Sequence, residues 1–264
     1  MDIDLQNIDE KWTSSWYPTK GDTISGKIKF KDWDPGEKTL ECGEFVLDDV
    51  TFTFGANTAK ISAVSAPQSQ AFKTRERTKT WEKITIQGIA NEIAGRYGMS
   101  VKYDAEDIQI DKLEQSDNDS SFLMSLCSDY GLEMKIYKKK ITIFDIKTIE
   151  SKGPVATLKM KDFEEGVQFQ DALTGTYTGA RVSYKKDDDS EEITTYVGSE
   201  PEEGKKSRTL KINTTCSSEA EAKRKGAAEV NLSNRNLVTM KGDIFPDPKI
   251  VAGVNVQLQG FGKL

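Results

Sequence analysis

A chain of 264 residues that contains no histidine has few ways to do chemistry. Histidine triads, Cys–His dyads and imidazole acid–base catalysis are all removed. The sequence carries no P-loop, no GxGxxG turn and no GxSxG elbow. Carboxylates remain. Asp32 and Asp34 bracket Trp33 in KDWDPGEK, the kind of pair a glycosidase sets in an aromatic cleft. Here the pair runs directly into Pro35-Gly36, where a turn favours aspartate. Glu164-Glu165 and the run DDDSEE at 187–192 read as solvated loops, and the run lacks the spacing of a calcium loop. Cys42, Cys127 and Cys216 are the three cysteines, far apart and without a CxxC. They read as reduced thiols that serve as small apolar core residues in a protein folded in a cytoplasm. A zinc site would lack its usual ligands. The expectation is a protein with no catalytic residue, no metal and no cofactor.

One phrase is written twice. Residues 96–104 read RYGMSVKYD and residues 129–137 read DYGLEMKIY. Upstream of the first, Ile86, Ile89, Ala90, Ile93, Ala94 and Tyr97 fall at helical spacing, with Thr85 as N-cap. Upstream of the second, Phe122, Leu126 and Tyr130 share a face widened by Leu123 and Cys127, with Ser116 and Asp117 offered as caps. Gly98 and Gly131 then stand where a left-handed residue closes a helix. Each phrase is therefore a helix end followed by a strand, and KITIFDI pairs back on the second strand as a hairpin. No neighbour is available to activate either tyrosine as a nucleophile or acid.

Around these units the pattern is β. Residues 2–66 contain several short alternating stretches separated by PTKGD, DPGEK and FGANT, which predicts a small barrel or sandwich. Residues 67–80, including the basic KTRERTK, read as a solvated connector that meets an acidic neighbouring subunit. From about residue 155 the alternation returns, with charged hairpin tips near 187–192 and 200–206. A helix over 218–234 opens on a Ser218/Glu221 capping box and presents Ala222, Gly226 and Val230 to a sheet, with Ala227 beside them. The predicted fold class is α+β and mostly β. Two small β-barrel-like domains, 1–66 and 151–264, flank an inserted α/β subdomain at 81–150 with two helix–strand units.

Composition bounds the partners. Net charge is −6 and no basic tract dominates, so specific nucleic-acid binding is not expected. No apolar run approaches the roughly 20 residues that span a bilayer, and the acidic, alternating start MDIDLQNIDEKW is not a signal-peptide pattern. Trp12, Trp16, Trp33 and Trp81 all lie in the first third of the chain. Tryptophan at strand ends and in loops fills either a core rim or a subunit interface, which makes these four the candidate interface residues.

Taken together, several segments resemble the phage late control protein D family, the baseplate hub proteins of contractile tails and tail-like bacteriocins. KWTSSWYPTKGDTI and KDWDPGEKTLECGEFVLDDV resemble the family's first β domain. ISAVSAPQSQAFKTRERTKTWEKITIQGIANEIAGRYGMSVKYD resembles its crossing into the insert. EQSDNDSSFLMSLCSDYGLEMKIYKKKITIFD resembles its most characteristic run. DALTGTYTGARVSY and SSEAEAKRKGAA resemble the second β domain. No catalytic motif is among the matches. The resemblance implies a homotrimer whose three chains, each with two similar barrels, make a pseudo-sixfold ring between a hexameric tail tube protein and a trimeric spike protein. A tape-measure protein in the lumen, synthesis in a bacterial cytoplasm and a final place in a virion tail or bacteriocin particle are implied with it. Family members carry a further strand before the start of this chain and a closing hairpin after its end. The alternatives are a glycan- or peptidoglycan-binding module and a carboxylate-based hydrolase.

Overall fold

The structure is a computed structural model that describes residues 1–31, 36–64, 71–137, 139–172, 176–186, 191–198, 208–235 and 237–262. Strands β1 (Asp2–Gln6), β2 (Thr23–Phe30), β3 (Lys38–Thr53) and β4 (Thr58–Val64) form one antiparallel, curled sheet in the order β1-β4-β3-β2. Alternation sets its faces: Ala59, Ile61 and Ala63 on β4 all point inward with Leu47 of β3. The register of β3 slips between Leu47 and Asp49 against β4, and that of β2 slips between Gly26 and Lys27. Such bulges bend and twist the strands and so curl the sheet.

The insert follows. A short helix α1 (Ala71–Thr74) leads into β5 (Lys79–Thr85), α2 (Ile86–Arg96) and β6 (Ser100–Asp104). Then come β7 (Gln109–Gln115), α3 (Asp119–Asp129), β8 (Leu132–Tyr137), β9 (Lys140–Asp145) and α4 (Ile146–Glu150). The repeat is therefore strand–helix–strand, longer than the helix–strand unit read from sequence. The two leading strands β5 and β7 pair antiparallel. The two trailing strands β6 and β8 flank β9, parallel and antiparallel respectively. Ile86, Ile89, Ile93, Leu123, Ile141 and Ile143 fill the space between helices and sheets.

Two boundaries differ from the sequence reading. The connector at 67–80 is not merely solvated among its described residues, because Phe72 of α1 is fully buried in the insert's core and β5 begins at Lys79. The cap of α3 is Asn118, whose side chain accepts from the Ser121 amide at 2.9 Å, and not Ser116 or Asp117. Thr85 caps α2 by accepting from Gly88 at 3.0 Å. Beyond each helix, Gly98 and Gly131 adopt φ of 62° and 74°, the left-handed geometry that glycine enters at little cost.

The last block contains β10 (Ala156–Lys159), β11 (Gln168–Asp171), β12 (Gly179–Lys185), β13 (Ile193–Val197), β14 (Thr209–Thr215), α5 (Glu219–Asn234), β15 (Val238–Lys241) and β16 (Val256–Gln259). Its described strands make a three-stranded sheet β13-β12-β14 and two two-stranded ribbons, β10–β16 parallel and β11–β15 antiparallel. The helix α5 lies on the three-stranded sheet. Ser218 caps it by accepting from the Glu221 amide, while the Glu221 carboxylate returns to the Ser217 amide, one residue earlier than a capping box requires. A Cβ on Gly226 would stand 2.6 Å from Val182 and 2.8 Å from Val197, so only glycine lets helix and sheet approach this closely. The fold class is α+β and mostly β.

Candidate functional site

Inside the insert, one carboxylate gathers most of the buried charge. Asp119 is fully buried at the first turn of α3. It accepts from Arg96 at 2.9 and 3.1 Å, from the Tyr97 hydroxyl at 2.6 Å and from Gln115 at 2.7 Å. Arg77 Nε stands 3.0 Å away as an ion pair, without the angle of a hydrogen bond. Burial pushes the Asp119 carboxyl upward, but the bonds from Tyr97, Gln115 and Arg96 outweigh it and hold it below the usual carboxylate range. Glu92 joins the same network through Arg96 at 2.6 Å and Lys79 at 2.5 Å. Arg77 and Lys79 of the basic run are thus paired within their own chain.

Trp81 belongs to this network and not to a surface. It is 2% exposed, stacks on Phe122 at 6.2 Å and donates to Gln115 at 3.1 Å. Lys79 Nζ stands 3.8 Å from its ring centroid, a cation–π arrangement. That removes Trp81 from the candidate interface residues: its indole N–H finds its partner inside the core.

At the other end of the insert, Tyr130 packs in the core and directs its hydroxyl to α5. Its hydroxyl donates to Glu221 at 2.5 Å. Arg224 reaches Glu106 at 2.8 Å and the Tyr130 carbonyl at 3.4 Å, and Arg235 pairs with Glu133. Burial pushes the Glu221 carboxyl up, yet Tyr130, Lys225 and Ser217 hold it below its ordinary value. Tyr137 fastens the insert to the first block. Its hydroxyl donates to the Glu41 carbonyl at 2.9 Å, and its ring lies where a Cβ on Gly43 would sit 2.6 Å away. The insert therefore touches both flanking blocks through tyrosines, one at the end of α3 and one at the end of β8.

The exposed surfaces are apolar in places. Trp12 and Trp16 meet edge to face at 5.5 Å, with Lys11 Nζ 5.0 Å from the Trp16 ring. Tyr17 packs on Phe52 at 5.9 Å, and Phe54 beyond it is 83% exposed. Trp16 is itself 54% exposed. These residues form an aromatic rim at one end of the first sheet. In the last block all four residues of β16 are exposed, and Val238, Phe245, Val256 and Leu258 stand uncovered.

Among the remaining sequence candidates, Trp33, Asp32 and Asp34 lie outside the described residues, as do 187–190 and 199–207. Glu164 and Glu165 are exposed, and no stabilising partner surrounds them beyond the backbone bond from Glu164 to Asp243. Among the described residues no group of three or more His, Cys, Asp or Glu is placed to hold a metal. No helix among them is long and apolar enough to cross a membrane. Cys127 and Cys216 are buried and Cys42 half-buried; burial pushes the Cys127 thiol up to about 12, away from the reactive thiolate range. Phe72, Arg77, Gln115 and Asp119 were missed in the sequence. The alternation of DIQIDKLEQ was the available signal for β7 and its Gln115.

No protein-family model and no curated protein match the chain. Two solved structures match it nearly end to end. One is the 43 kDa tail protein of prophage MuSo2 from Shewanella oneidensis, 11% identical, with a TM-score of 0.60 over 92% of this chain and 81% of that one. The fold is that of a phage tail protein. The second, the tail protein from Neisseria meningitidis MC58, is 12% identical, with a TM-score of 0.61 over 97% and 80% of the two chains. Both neighbours are described as tail proteins.

Proposed function

We propose that the chain is a non-catalytic hub component of a contractile-tail baseplate. Three copies form a pseudo-sixfold ring that joins a hexameric tail tube to a trimeric spike. The observation that carries this reading is the exposed apolar surface on the described strands of the last block. A two-stranded ribbon is marginal in water, yet among the described residues β10–β16 and β11–β15 are ribbons with exposed apolar side chains. Exposed strands with apolar side chains invite pairing or cover from another chain. The aromatic rim of Trp12 and Trp16 is a second surface of that kind, and in this reading it lies between subunits. Two β blocks per subunit give a threefold object the surfaces to meet a sixfold partner. The tape-measure protein passes through the lumen, and the particle is a virion tail or a tail-like bacteriocin.

The test is the mass of the purified full chain, followed by cryo-electron microscopy of the particle. Assembly at three times the 29.4 kDa chain mass supports the hub. A monodisperse monomer that binds glycan through Trp12 and Trp16 supports the binding-module alternative, and a sixfold arrangement of this chain in the particle rejects the trimer.

A further inference from the structure

The insert and the last block have separate cores. Phe72, Trp81, Ile89, Leu123 and Ile143 belong to one, and Ala180, Val182, Tyr184 and Cys216 to the other, with no residue in common. We propose that these two bodies are joined by a polar latch, which opens while both cores remain folded. The latch is the set of bonds from α5 to the insert: Tyr130 to Glu221, Arg224 to Glu106 and to the Tyr130 carbonyl, and Arg235 to Glu133. Gly131 lies against Ala228 on the same seam, where a Cβ built on the glycine would stand 3.5 Å from that of Ala228, an ordinary van der Waals contact between two small residues. Beside it runs a groove of about 740 Å³ between α3, β8, α4 and α5, floored by Met124, Met134 and Ala227.

Each side of the latch is rigidly attached to its own body. On the far face of α5, Gly226 sits tightly on Val182 and Val197, so the helix moves with its sheet. Tyr130 follows α3 and packs in the insert's core, so its ring moves with the insert. The pivot is at the end of α4. There Asn255 Nδ2 donates to the carbonyls of Ile149, Glu150 and Lys152, at 2.9, 3.3 and 2.6 Å. That clasp holds the end of α4 beside the covalent passage into β10. Small polar interfaces within a chain permit relative motion of the bodies they join, and exposed ion pairs contribute little against it.

The test uses the full chain with Ala228→Cys, exposed to a maleimide, with peptide-resolved mass spectrometry. Ala228 is 8% exposed when the latch is closed, and native Cys127, 1% exposed, reports the insert's core in the same sample. Amide exchange along β9 and β12 reports both cores. The proposal expects position 228 to label without denaturant while Cys127 and both strands stay protected. Tyr130→Phe or Arg235→Ala should each speed labelling at 228, the first by roughly tenfold, as loss of a bond to a charged acceptor implies. A second measurement avoids dependence on that one cysteine. In Gly131→Cys with Ala228→Cys, the 3.5 Å separation of the Cβ atoms is within disulfide range, and oxidation should give a smaller radius of gyration by X-ray scattering than Tyr130→Phe. The proposal is overturned if 228 labels only together with Cys127. It is equally overturned if both latch variants label at the parental rate, or if the oxidised pair and Tyr130→Phe scatter identically.

Discussion

At Tyr97-Gly98 and Tyr130-Gly131 the backbone does the same thing. A helix of eleven residues ends, tyrosine takes the cap position, glycine turns left-handed and a strand begins. The hydroxyls then part company. Tyr97 donates to Asp119, 22 residues on and within the insert. Tyr130 donates to Glu221, 91 residues on and in another body. A tyrosine at a helix end is a donor held at fixed reach from its own backbone. What it fastens is decided by where the fold brings a carboxylate. The same local solution thus makes an internal brace in one copy and an external tie in the other.

Removing the two acceptors should separate these roles most sharply. Asp119→Ala leaves Arg96 and Arg77 without their buried counter-charge, which costs about 3–5 kcal/mol. In urea melts followed by Trp81 fluorescence, the insert should unfold early. Glu221→Ala should leave the insert's melt nearly unchanged, and an equal loss in both variants would erase the distinction. The hydroxyls alone act more mildly. Tyr97→Phe should destabilise the insert by about 1.5–3 kcal/mol, whereas Tyr130→Phe should shift that melt by much less. The glycines should behave alike, because their φ and not their surroundings sets the cost. Gly98→Val and Gly131→Val should each lose about 1–2 kcal/mol by thermal unfolding, although only Gly131 has α5 beside it. Acid gives the finest cut. Asp119 and Glu221 both have folded pKa values below their ordinary 3.8 and 4.5. Each therefore contributes stability that is fully present above those values and is lost as pH falls through the lower folded ones. Glu221→Gln should flatten the acid dependence of the radius of gyration below about pH 4.5 and leave that of the insert's melt in place.

The braces were hidden in the sequence while the units they brace were plain. Helical spacing from Ile86 to Tyr97 and the two glycine stops are local signals, and they place α2, α3 and their caps within a residue or two. Ala222 and Gly226 likewise announce a helix lying close on a sheet. KTRERTK is misleading for a physical reason. Its charges look solvated until Asp119 and Glu92 arrive from elsewhere in the chain, and no local period records that meeting. Trp81 misleads in the same way, since the partner of its indole, Gln115, is 34 residues distant. The strands of the last block are each legible by alternation, but the pairing of β10 with β16, a hundred residues away, is not. Loop closure over that span follows from the whole topology and leaves no mark in either strand.

That distant pairing has a mechanical meaning. β10 and β16 run parallel, in register from Ala156 with Val256 to Lys159 with Gln259. The chain enters β10 at its N-terminal end and leaves β16 at its C-terminal end, so tension between these two points pulls the strands along one another in opposite directions. The hydrogen bonds of the ribbon are then loaded together in shear and are not peeled one at a time. A tug along the chain would thus meet its resistance where the block's first strand lies against its last.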